Sequence, residues 1–150
     1  MIYFTMKLTC LSNTCTMTGN LTNQAYQYEP KSILRAKRAL SCSPFRLQLF
    51  QQMRNHSVPI ASIAGTTGIK LGYITQADSE PRTEDNLVWL INVGLLRREV
   101  DGQGLTDSFR LTPLGRQIVR EWEQTQKQIP PASKLDRVYN WLNRWLQLSL

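Results

Sequence analysis

The side chains able to do chemistry in this 150-residue chain are few, and their spacing argues against catalysis. His56 is the single histidine, and no nucleophile or second imidazole is patterned around it. The three cysteines, Cys10, Cys15 and Cys42, are odd in number and lack metal-ligand spacing. No zinc site is expected from them, and a reducing, cytoplasmic setting is. Gly65-Thr66-Thr67-Gly68 is too short for a phosphate-binding loop. The expectation is a non-enzyme with no metal and no cofactor. What remains is hydrogen-bonding chemistry. Arg82, Asp85, Asn86, Trp89 and Asn92 share one side of a helical stretch, opposite Leu87, Leu90 and Ile91. A guanidinium can bond guanine, an amide can bond adenine and a carboxylate can accept from cytosine, so this set suits base edges. It equally describes a solvated helix face, and its acidic start at Glu80, Glu84 and Asp85 would repel phosphate.

Trp89 is the odd member of that set, because large aromatics are mostly buried. Either Tyr73 and Ile74 fold over it, or it contacts a partner protein. Arg97, Arg98 and Arg110 form a second basic group, suited to phosphate or minor-groove contacts. Local pairing with Glu99, Asp101 and Asp107 would instead leave them neutral. Lys31, Arg35, Lys37 and Arg38 form a third group, either an arm lying along phosphate or a solvated helix face. The net charge of +7 is unevenly spread. Residues 1–42 hold five basic groups against Glu29, a balance of +4, and residues 130–150 hold three against Asp136, a balance of +2. The middle, 43–129, holds ten basic and nine acidic groups, a balance of only +1. Any DNA affinity must therefore borrow from the flanks, because phosphate neutralisation supplies most non-specific binding.

Local signals say which elements position these residues. Pro81 suits a helix start and Gly94 a helix stop. Leu95 to Val100 is rich enough in branched residues for a strand, and Asp101-Gly102-Gln103-Gly104 is strong turn chemistry. Ser108 to Leu111 alternates as a half-buried returning strand would. Thr112-Pro113 then supplies an N-cap and a first-turn proline for a helix bearing Leu114, Ile118 and Trp122. Upstream, Ser43-Pro44 opens a helix with Phe45, Leu49, Phe50 and Met53 as its buried stripe. Pro59 to Thr67 reads as a short helix stopped by Gly68, followed by about a dozen residues from Gly68 to Glu80.

Residues 43–129, and 87–120 most strongly, resemble winged helix-turn-helix transcriptional regulators of the MarR and PadR type. The resemblance rests on Leu90, Gly94-Leu95-Leu96, the Gly102/Gly104 tip and the run Phe109-Arg110-Leu111-Thr112-Pro113-Leu114-Gly115-Arg116. It implies a mainly α fold with a small β-hairpin wing and flanking N- and C-terminal helices. It also implies that the Arg82/Asp85/Asn86/Trp89 face enters the major groove. The chain departs from that pattern at 68–80, where a turn of three to four residues is usual. Either this is an ordered insertion or the helix boundary lies elsewhere.

The remaining segments are distinct. Residues 1–30 are polar, without a clear period, and are expected to be disordered. Residues 1–17 are a poor signal peptide, and Met6 and Met17 are alternative starts to Met1. Residues 31–42 form the basic helix or arm. After Pro130-Pro131, residues 132–150 form an amphipathic helix capped by Ser133, with Leu135, Val138, Leu142 and Trp145 in 3-4-3 spacing. Dimerisation through that stripe would resemble the C-terminal helix pairing of PadR-type regulators. Docking onto its own domain and lying on a membrane surface are the alternatives. The leading expectation is a cytoplasmic homodimeric regulator that binds duplex DNA. The second is a winged-helix protein-interaction module without sequence-specific DNA binding, meeting its partner near Trp89.

Overall fold

The structure, a computed structural model, describes residues 28–102, 104–125 and 128–148. Helix α1 spans Pro30–Ser41 and α2 Leu47–Asn55. Strand β1 is Val58–Pro59, followed by α3 (Ile60–Ile63), α4 (Gly65–Lys70) and α5 (Glu80–Asn92). The hairpin β2 (Leu96–Asp101) and β3 (Gly104–Leu111) comes next, then α6 (Pro113–Thr125) and α7 (Lys134–Leu148). The described chain is thus mostly helical, with one small antiparallel sheet of order β1-β3-β2. Val58 pairs with Phe109, which ties the hairpin to the helices before it. Among the described residues no helix is long and apolar enough to cross a membrane.

The core is one cluster drawn from α1, α2, α3, α5, α6, the sheet and the segments between them. Leu40, Leu49, Phe50, Met53, Ile63, Leu87, Leu90, Phe109 and Ile118 are all buried within it. Backbone chemistry sets the element ends. Gly94, at φ +83°, closes α5 with its N–H on the Ile91 carbonyl, while the Leu95 N–H reaches the Leu90 carbonyl. Those two bonds satisfy carbonyls a helix end would otherwise leave open. Thr112 caps α6, its hydroxyl oxygen accepting from the Gly115 N–H at 3.1 Å. Ser133 caps α7 in the same way, accepting from the Asp136 N–H at 3.1 Å while Asp136 accepts in return from Ser133.

Of the two readings of residues 31–42, helix or arm, the structure shows the helix: α1 buries Ala36, Ala39 and Leu40 and leaves Leu34 exposed. Its small residues bring it close to α5 and α6. The helix expected to open at Ser43-Pro44 starts at Leu47, because residues 44–46 are extended against 73–75. The Arg46 N–H donates to the Tyr73 carbonyl, and Phe45 bridges Ile74. The helix expected over Pro59–Thr67 is split. Pro59 belongs to β1, Ala64 is extended, and Gly65 at φ +63° turns the chain into α4. Gly68 lies buried inside α4 rather than ending it. A Cβ there would overlap the Ile63 carbonyl, so glycine is what lets α4 fold back onto α3. The long turn shrinks to residues 71–79 and is ordered by the strand-like contacts just described. The expectation of disorder over 1–30 falls outside the described residues except at its end, where Tyr28 packs against the core and Pro30 opens α1.

Candidate functional site

Helix α5 is covered on two sides. Leu87 and Leu90 face the core with Ile91 packed against it, as the apolar spacing required, and Thr83 is buried as well. Trp89 is also buried, at 5% exposure, so the face expected to meet DNA is turned partly inward. Two of its contacts come from other helices. The indole N–H donates to the Asn140 side chain of α7 at 3.0 Å, and the Arg35 guanidinium of α1 stands 5.9 Å from the ring centroid. Asn86 is engaged in the same way, accepting from Arg144 of α7 at 3.0 Å. The side of α5 left in solvent carries Glu80, Pro81, Asp85, Val88 and Asn92. Arg82 stands exposed beside it, 3.8 Å from Asp78. With Asp85, Asn86, Arg144 and Cys42 it lines a cleft of about 470 Å³ whose charges are of both signs.

The other expected DNA contacts are also held by the chain itself. Arg98 pairs with Glu84 and, at 3.6 Å, with Asp107, and lies over Phe109. Arg97 and Arg110 both reach Glu99 at 3.5 Å, and Arg110 donates to the Asn55 carbonyl at 2.8 Å. The hairpin therefore neutralises its own arginines. On α1, Lys31 faces Glu29 at 4.0 Å, Lys37 pairs with Glu121 at 2.6 Å, and Arg38 pairs with Asp136 at 2.9 Å. These are surface pairs, each contributing at most about 1 kcal/mol, but together they leave the three basic groups pointing at different acids.

Helix α7 is attached by its polar edge. Asp136, Asn140 and Arg144, four residues apart, bond Arg38, Trp89 and Asn86 in turn. Arg38 also stacks 5.0 Å from the Tyr139 ring. The apolar stripe points the other way. Leu135 is 71% exposed, Val138 55%, Trp141 62% and Trp145 60%. Trp141 and Trp145 stack on each other with centroids 6.4 Å apart. All four residues expected to pair helices, Leu135, Val138, Leu142 and Trp145, thus lie on the outward surface. The polar anchors were missed, although the 136/140/144 spacing marks a second stripe.

Two ionisable groups at this junction are perturbed. The hydrogen bond from Arg38, then those from Ser133, holds the Asp136 carboxyl below its ordinary value. Burial, then the nearby Asp136 carboxylate, pushes the Cys42 thiol up, which favours its protonated form. Cys42 is a free cysteine, and among the described residues no cluster of His, Cys, Asp and Glu could hold a metal.

Among known proteins, the sequence pattern of the family described as Npun_F0494-like matches residues 26–144. No curated protein and no solved structure matches the chain.

Proposed function

The chain belongs to the Npun_F0494-like family, and from that premise we propose that it is a winged-helix protein-interaction module. The observation that carries the reading is α7, which binds the body by polar side chains and offers its apolar face to solvent. Apolar patches of that size on a folded protein mark interaction sites. The winged-helix part is supported by the order of α3–α4, α5 and the β2–β3 hairpin, with β1 returning onto β3 as a wing is tied to its helices. Self-pairing of Arg97, Arg98 and Arg110, and the acidic open side of α5, weigh against sequence reading by these elements. A cytoplasmic setting goes with this proposal, Cys42 being a free thiol.

A second reading, DNA binding in transcription regulation, draws on the net charge of +7 and on Arg46, Lys70 and Arg120, which make no ion pair among the described residues. Phosphate could also displace surface pairs as weak as these. Titrating random duplex DNA at two salt concentrations separates the two. The interaction reading expects weak binding that vanishes at physiological salt. A tight complex whose affinity falls steeply with salt would establish the DNA reading instead.

A further inference from the structure

Most of the large apolar side chains exposed among the described residues belong to α7, and their spacing specifies what fits on them. We propose that the occupant is the α7 of a second copy, packed antiparallel across a two-fold axis. The inference rests on the interaction reading above and names its partner.

The seam is the first argument. Leu135, Val138, Leu142 and Trp145 repeat at three and four residues, flanked by Trp141 and Leu146, which is the spacing one helix presents to another of its kind. Area is the second. The exposed parts of these six side chains sum to an area on the order of 700 Å², close to the ~800 Å² each partner contributes to a standard interface. Geometry is the third. The anchors Asp136, Asn140 and Arg144 lie on the opposite side of the helix, so docking on the body and pairing with a second copy are compatible. The body thereby holds the stripe in a fixed position, which lowers the ordering cost of association. Charge sets the direction. Lys134 and Arg137, both exposed near the start of α7, make no ion pair among the described residues. A parallel pair would gather four cations at one end. An antiparallel pair separates the two sets and places each Lys134 opposite Leu146, in the partially negative last turn of the other helix.

Sedimentation of the full chain across a concentration series tests the partner, with flotation on anionic vesicles run beside it. The expected result is a concentration-dependent dimer that does not float. Trp145→Ala should weaken association about thirtyfold, as the loss of a buried aromatic anchor does, with the helical circular dichroism unchanged. Direction is tested by disulfide trapping with Cys10, Cys15 and Cys42 replaced by serine. Val138→Cys mixed with Leu142→Cys should crosslink. Leu135→Cys alone should not, since antiparallel pairing separates its two copies by about 15 Å along the helices. A Leu135→Cys homodisulfide in place of the mixed one overturns the antiparallel arrangement. A chain that stays monomeric and does not float overturns the second-copy inference alone, and tight, salt-sensitive DNA binding overturns the interaction reading. A monomer that floats with vesicles assigns the face to lipid and overturns both.

Discussion

Helices α6 and α7 are written alike and used in opposite ways. Both are amphipathic, of similar length, and capped by a hydroxyl residue. Helix α6 buries Leu114, Ile118, Val119 and Trp122 against the core. Helix α7 turns Leu135, Val138, Trp141 and Trp145 outward and is attached through the polar side chains of Asp136, Asn140 and Arg144. An apolar stripe therefore says that a helix needs cover, and the polar stripe beside it says where that helix is attached. In α6 the polar side reaches outward ions, Glu121 to Lys37 and Glu123 to Arg54. In α7 the polar side meets a buried indole.

Substitutions can break this contrast. The largest effect should come from Trp122→Ala, which empties a buried site and should cost roughly 3–5 kcal/mol in urea unfolding. The matching change in α7, Leu135→Ala at a 71% exposed site, should shift monomer stability by no more than about 0.5 kcal/mol. Equal losses in the two would mean that α7 is packed by its apolar side. Next, Gly115→Ala should destabilise by about 1–3 kcal/mol in thermal unfolding, because its Cβ would overlap the Leu95 carbonyl where α6 meets β2.

Smaller effects sharpen the α7 attachment. Asn140→Ala removes the acceptor for the Trp89 indole and should cost about 0.5–1.5 kcal/mol. Hydrogen exchange should then accelerate in α7 while α6 stays protected. The smallest effect is on acidification. Asp136 is depressed in the folded chain, so its contribution is complete above the ordinary carboxylate value of 3.8 and is lost as pH falls through the lowered value. Tryptophan emission should report that loss below pH 3.8 in the wild type, and Asp136→Asn should abolish the step.

What was legible in the sequence was local. Gly94, the Gly102–Gly104 tip, Thr112-Pro113 and Ser133 act on their own backbone within a few residues, and each marks an element end where expected. The helical composition with a small sheet followed from them. The surfaces were less legible, because each side chain's partner lies far along the chain. Trp89 and Asn140 are 51 residues apart, Arg38 and Asp136 98. Periodicity placed Trp89 on the face opposite Leu87, which is correct for the helix, but it carries no information that a later helix covers that face. The Gly68 stop failed for a related reason. A glycine that a helix end could use is also what close packing against Ile63 demands.

The connector before α7 gives these weak bonds their leverage. Ile129 is packed against the core and Pro130-Pro131 stiffens the next step. Helix α7 therefore searches a small volume, at an effective local concentration on the order of millimolar. Hydrogen bonds too feeble to recruit a free peptide suffice to keep a tethered one seated. Lengthening that hinge, with every contact residue unchanged, would dilute the helix away from its own domain.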